Sequence, residues 1–308
     1  MAPSRASQAD RQLPKGEEIF LDHVGHFVCD AKSASDALMR AGFAPAPAAI
    51  HTSPDPGGGA AQPTGTGNVT AMLRRGYVEV LFKTADTPLG QELDAALARH
   101  AGIHLVAFAV ADAAGAHRRL GESGFRMRPL VEMQRPVDAG AAPGTAAFTV
   151  ARLEVGEMPE GRIQLLTHRT EDMVWQPRWL AHLNGALGLT RAVIAVEDVN
   201  EAAQRFARLT DRPARASARG QSIALDRGRI ELVSAATFSQ MLPHVPIPSL
   251  PFIGAYGISV ASLAVAEQSL VKGGLAPRRH GQDLMAAFPE ALGCGAWLFS
   301  EGAAADPQ

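Results

Sequence analysis

The sequence predicts an α+β fold in which four βαβββ modules pair into two domains. Two observations carry this expectation. A strand-like apolar run followed by an amphipathic helix and then a Gly or other breaker recurs four times, and three of the four segments after it close on an apolar run with one polar residue inside. The 308-residue chain is long enough for two ordinary cores.

The first unit runs Asp22-His23-Val24-Gly25-His26-Phe27-Val28-Cys29-Asp30 into a helix over 31–41. The second runs Leu105 to Asp112 with a helix over 113–123. The third runs Arg191 to Asp198 with a helix over 199–209, and the fourth Ala255 to Ser262 with a helix over 263–272. Asp30, Asp112, Asp198 and Ser262 suit the N-cap, where a short side-chain acceptor satisfies a free backbone N–H. The closing runs are Tyr77–Phe82, Arg162–Leu166, Arg229–Val233 and Ala296–Phe299. A βαβββ unit cannot bury its sheet face alone, so units pair face to face around a cavity. The N-terminal domain is expected over 17–170, from modules 17–84 and 101–170. A connector over 171–187 and a degenerate C-terminal domain over 188–301 follow. Residues 1–16 and 302–308 read as tails. Breaker-rich stretches at 45–66 and 134–145 read as surface loops, and Pro243–Pro251 as an extended connector.

Composition excludes several classes. With 29 Lys+Arg against 31 Asp+Glu there is no excess of cations for polyanion binding, so no nucleic-acid partner is expected. Two cysteines, Cys29 and Cys294, cannot build a disulfide framework or a four-cysteine metal site, which fits a cytoplasmic protein. A polar N-terminus and the lack of a run of about 18 apolar residues argue against a signal peptide and a membrane partner.

Asp22-His23-Val24-Gly25 with Asp30, the fourfold repeat, and Tyr77-Val78-Glu79-Val80 resemble the vicinal oxygen chelate superfamily, which includes glyoxalase I, extradiol dioxygenases and bleomycin-resistance proteins. Gly65-Thr66-Gly67-Asn68, the stretch from Thr167 to Pro177 and His182-Leu183-Asn184-Gly185-Ala186 resemble its two-domain glyoxalase-like members. The resemblance implies curved mixed sheets enclosing cavities, a small-molecule substrate or ligand, and a homodimer. It also implies metal-ligand slots on the first and last strands of paired units. In this chain those slots hold His23, Glu79 and Gln164, with Leu105 where a fourth ligand would stand. One divalent ion, Mn, Fe, Ni, Zn or Mg, is the cofactor implied, and Glu79 is the only residue of the set able to act as catalytic base. In the C-terminal half the same slots hold Arg191, Glu231, Ala255 and an apolar residue, which suit an ion pair and not a metal.

Outside the slots, His104 points to the opposite strand face from Leu105 unless a bulge turns it inward. His168 and Trp175 read either as packing between the domains or as the rim of the cavity; with His104 they complete the expected substrate pocket. Two functions stay open. One is a metal-assisted lyase or isomerase acting on a small oxygenated substrate through His23, Glu79 and Gln164. The other is a metal-free binding or sequestering protein of the bleomycin-resistance kind. Extradiol ring cleavage fits less well, because its usual set is two His and one carboxylate and only one His is well placed.

Overall fold

The computed structural model describes residues 11–302 apart from 54, 56, 141 and 142. The chain order is β1 (Ile19–Phe27), α1 (Ala31–Arg40), β2 (Ala49–Ser53), β3 (Gln62–Met72), β4 (Tyr77–Lys83), α2 (Pro88–Leu97), β5 (Gly102–Val110), α3 (Ala113–Glu122), β6 (Val131–Asp138), β7 (Pro143–Arg152), β8 (Arg162–His168) and α4 (Glu171–Val174). The second half continues with β9 (Ala186–Val196), α5 (Val199–Thr210), β10 (Ala214–Ser217), β11 (Gly220–Ala224), β12 (Arg229–Ser234), α6 (Ala235–Met241), β13 (Phe252–Val260), α7 (Leu263–Lys272), β14 (Arg278–His280), β15 (Asp283–Ala287) and β16 (Ala296–Glu301). Among the described residues no helix is long and apolar enough to cross a membrane.

The first eight strands close into a barrel in the order β1-β4-β3-β2-β6-β7-β8-β5, and the last eight form one open sheet in the order β10-β11-β12-β9-β13-β16-β15-β14. In both, the first and last strands of a module pair in parallel and the two modules join through antiparallel first strands. Two expected loops are instead strands. Residues 45–66 hold β2 and the start of β3, and 134–145 fall within the β6/β7 hairpin. Among the glycines that argued for a loop, Gly65 has a packing role, since a Cβ there would strike the Thr87 side chain. The contact of β2 with β6 at Thr52 and Gln134 closes the barrel.

Asp30, Asp112 and Asp198 cap their helices through backbone N–H groups, whereas Ser262 makes no side-chain cap bond. The helices bury small and apolar faces against the outer side of the sheets, such as Ala34, Ala37 and Leu38 of α1 and Phe206 and Leu209 of α5. One apolar core runs through both halves, joining Val24, Val28 and Leu38 to Phe206, Tyr256 and Trp297. Related turns reinforce this contact. Leu73-Arg74-Arg75-Gly76 docks on β9 through Arg75 N to Leu187 O at 3.1 Å and Leu189 N to Arg75 O at 2.9 Å. Leu225-Asp226-Arg227-Gly228 docks on β1 through Leu21 N to Arg227 O at 2.8 Å and Asp226 N to Ile19 O at 3.1 Å. Residues 11–16, expected within a tail, lie against the fold: Gln12 is buried and Arg11 forms a two-pronged ion pair with Glu18. The rest of that segment and of the C-terminal tail lies outside the described residues.

In the open sheet the face that carries Val193 and Ala195 is covered by an apolar layer. Phe238 and Met241 of α6, with Leu242 and Val245 after it, pack there against Val193, Ala195 and Leu298.

Candidate functional site

Strand alternation turns His23, Gly25 and Phe27 of β1 into the barrel, with Tyr77, Glu79 and Leu81 of β4 beside them. A bulge modifies this pattern: Leu21 pairs with Phe108 and His23 with Ala107, so Asp22 is the extra residue. Asp22 is thereby buried against the lumen histidines. Its Oδ2 lies 2.7 Å from His23 Nδ1 and its Oδ1 2.9 Å from His168 Nε2. Burial alone would push this carboxyl up, but the charge and hydrogen bonds of His168 and His23 more than reverse that and hold it well below the usual range.

His23 Nε2 faces Glu79 Oε2 at 3.6 Å, and Asn68 Nδ2 donates to Glu79 Oε1 at 2.6 Å. The Tyr77 ring stacks on His23 with centroids 4.4 Å apart, and burial pushes its phenol well above the ordinary value. A second imidazole reaches the same carboxylate: His51 Nε2 lies 4.0 Å from Glu79 Oε1 and has no hydrogen-bond partner. Counting hydrogens fixes its tautomer. Thr64 Oγ1 donates to His51 O, so Thr66 donates to Thr64 and its oxygen accepts from His51 Nδ1 at 3.0 Å. The His51 Nε2 lone pair then points at the lumen. Burial pushes this imidazole down to about 4, with Glu79 opposing and Arg135, Arg152 and Arg162 assisting, so it is neutral at neutral pH.

Gln164 also lines this lumen, with its Oε1 buried and unpartnered, and Leu105 faces it from β5. The three slot residues therefore share one cavity. It is small, about 20 Å³, room for one water-sized group. Arg152 and Arg162 line both this lumen and a larger cleft of about 380 Å³ at the α2 end of the barrel.

Of the three expected pocket residues, His104 lines the larger cleft, while His168 and Trp175 lie outside both it and the lumen. His104 is the extra residue of a second bulge, between the pairs Gly25–Leu105 and His26–Ile103. The bulge does not bring it to His23; its Nε2 bonds the His100 carbonyl at 2.8 Å, its ring stacks on His100, and it lines the larger cleft. Trp175 lines a surface cleft with Gln12, Glu171 and Leu180, separate from the cleft that His104 lines. It and His168 are both buried, with ring centroids 4.5 Å apart, and close the end of the barrel opposite α2. Sequence reasoning passed over Asp22, His51, Asn68, Arg135 and Arg152. His51 and Asn68 lie in or just after the stretch read as a loop, and arginines within strands carried no separate signal.

The donor set fits a resident divalent ion poorly. His51 adds a second imidazole beside His23 and Glu79, but Leu105 places hydrocarbon in one slot, Gln164 offers only a neutral amide, and Asn68 occupies one oxygen of Glu79. Among the described residues no three His, Cys, Asp or Glu side chains are grouped to hold a metal ion. Three guanidinium groups, Arg135, Arg152 and Arg162, line the same lumen and oppose a further cation.

In the C-terminal sheet Arg191 bonds Asp283 and lies 3.9 Å from Glu231, the ion pair expected there.

A barrel of paired βαβββ modules with a buried polar lumen defines a glyoxalase-like protein of the vicinal oxygen chelate superfamily. A sequence profile for the glyoxalase-like domain matches residues 21–210, and the chain belongs to that family. Comparison with curated proteins finds no match. Among solved structures, a hypothetical protein from Staphylococcus aureus superposes with TM-score 0.65 at 8% identity, covering 92% of this chain and 100% of that one. A variant of 4-hydroxymandelate synthase from Streptomyces coelicolor gives 0.56 at 14% identity, with 92% of each chain covered. The Mn(II)-bound glyoxalase from Novosphingobium aromaticivorans gives 0.55 at 13%, covering 92% of this chain and 82% of that one. These likenesses concern the fold.

Proposed function

We propose that the N-terminal barrel is a metal-independent acid–base site of lyase or isomerase type for a small oxygenated substrate. The observation that carries this reading is the buried chain Asp22–His23–Glu79, with His51 Nε2 on the other side of the same carboxylate. Asp22 accepts from His23 Nδ1, which turns Nε2 toward Glu79. Glu79 Oε2 takes a proton from a carbon next to a carbonyl, and His23 Nε2 is placed to receive that proton and return it to a different atom. Asn68 fixes the carboxylate by holding its other oxygen. The small lumen admits only the reacting end of a substrate, whose body stays in the adjoining cleft.

The test uses untagged protein treated with a chelator and then incubated in D₂O with a panel of small 2-oxo and 2-hydroxy acids. Proton NMR reads exchange at carbon. Metal-depleted wild type is expected to catalyse exchange for at least one acid, and Glu79→Gln to lose about 10²-fold or more, the usual contribution of a general base. Activity that returns only on adding a divalent ion, or exchange unchanged in Glu79→Gln, overturns the reading.

A further inference from the structure

The junction between lumen and cleft carries charge that the protein does not neutralise. Arg162 at the junction is paired: with Arg128 it shares Glu92, at 3.2 and 2.7 Å. Arg152, also at the junction, differs. Among the described residues no carboxylate lies within ion-pair distance of it, its Nε is buried without a partner, and the remaining contact of its guanidinium is Met133 sulfur at 3.9 Å. Burial next to Arg162 pushes this guanidinium down to about 10, so the fold holds the charge there at a cost. A half-buried cation that no carboxylate pairs with directly, facing a cavity, is a receptor for an anion.

The cleft wall beside it is apolar. Phe27, Ala95, Ala96, Leu153, Met158 and Ile163 form a surface of the kind that takes a hydrocarbon or aromatic body, and about 380 Å³ lies at the lower end of small-ligand pockets, which run from about 300 to 1,000 Å³. Head-group charge is limited from the other side. Glu79 shares the lumen with Arg152, so one unpaired guanidinium next to a carboxylate suits a monoanion better than a dianion.

We infer that the substrate is a small monocarboxylate with an apolar body, its carboxylate seated on Arg152 at the barrel mouth and its body in the cleft beside α2. This rests on the barrel being the functional site and adds the substrate class. A carboxylate on the planar fork of Arg152 would direct the adjacent carbon toward Glu79 and His23.

Calorimetric titration with 3-phenylpropanoate, its neutral amide and inorganic phosphate tests the assignment without requiring turnover. The carboxylate is expected to bind at least tenfold more tightly than the amide, and phosphate not to compete. Arg152→Met should abolish the preference, Arg152→Lys should retain part of it, and Arg126→Gln, at an exposed arginine paired with Glu157, should leave it intact. Equal binding of carboxylate and amide, tighter binding of phosphate, no saturable binding of the carboxylate, or an undiminished preference in Arg152→Met overturns the inference. If Arg152→Met does not fold, Arg152→Lys and the carboxylate–amide comparison in wild type decide. Absence of the preference in wild type, with proton exchange intact, overturns the Arg152 assignment alone. The preference without any exchange overturns the acid–base reading alone.

Discussion

Arg191 occupies in the C-terminal sheet the register position that His23 occupies in the barrel. His23 lies beside Tyr77 and opposite Ala107; Arg191 lies beside Arg229 and opposite Gly257. One fold position thus holds a candidate acid–base group in one half and an ion-pair cation in the other. The neighbours follow: Glu231 matches Glu79, but Leu298 stands where Gln164 does, and α6 covers the face that carries Val193 and Ala195.

Because Arg191 is largely buried, removing it leaves Asp283 without its ion-pair cation, while Glu231 keeps Arg229 at 2.7 Å. Arg191→Met is expected to lower stability by about 2 kcal/mol, below the 3–5 kcal/mol of a fully buried pair because these groups keep some solvent contact. Adding Asp283→Leu should recover part of the loss. Urea denaturation measures both, and a single variant as stable as wild type would show that the cluster contributes nothing.

Much of the fold was legible in the sequence because strand and helix periods differ and the caps repeat. The family resemblance assigned His23, Glu79 and Gln164 to slots on the first and last strands, and strand alternation with parallel register turns all three into the lumen. What stayed hidden has physical causes. His51 and Asn68 lie in or beside a segment whose Gly and Pro content imitates a loop, although Gly65 there and Gly67 just after it serve close packing, against Thr87 and Phe82. Asp22 and His104 are each displaced by a bulge, which a strict period of two cannot anticipate. The α6 plug follows from contacts of Phe238 and Met241 with a distant sheet, which no local pattern announces.

His26 ties the two halves together and is expected to make their docking sensitive to acid. It is fully buried, with Nδ1 2.9 Å from Leu292 O and Nε2 3.1 Å from Tyr256 OH. Burial pushes the imidazole down to about 4, against a small opposing pull from the Leu292 carbonyl. An unfolded histidine titrates near 6.5. The stabilisation of the neutral folded form is therefore complete above about pH 6.5 and is lost progressively as pH falls from there to about 4, on the order of 3 kcal/mol in all. His26→Gln, which keeps an amide donor and does not titrate, should make the stability profile shallower across that window, the remaining slope coming from His51 and His104. Denaturation midpoints at pH 7.5, 6, 5 and 4 test this; parallel profiles for variant and wild type would refute it.

Asp22 is the residue through which the C-terminal half reaches the chemistry, because the Leu225–Gly228 turn pairs with β1 up to Leu21, immediately before the Asp22 bulge. Its two oxygens orient His23 and His168, and it touches neither cleft nor lumen. It is a positioning residue in the proposed reaction. Asp22→Asn keeps the shape but offers one acceptor oxygen and one NH₂ donor, so one of the two histidines must change tautomer or lose its bond. Asp22→Asn is accordingly expected to lower the rate of carbon exchange by about 10- to 100-fold, within the span attributed to orienting outer-shell groups, while the binding of 3-phenylpropanoate stays within about twofold of wild type. The carboxyl is held below its ordinary range, so its contribution to stability is full above the unfolded value near 4 and is lost as pH falls below it. The variant should therefore also show a shallower acid limb below pH 4. A rate equal to wild type, with His23 ring resonances unshifted in the NMR spectrum, would show that Asp22 does not set the imidazole.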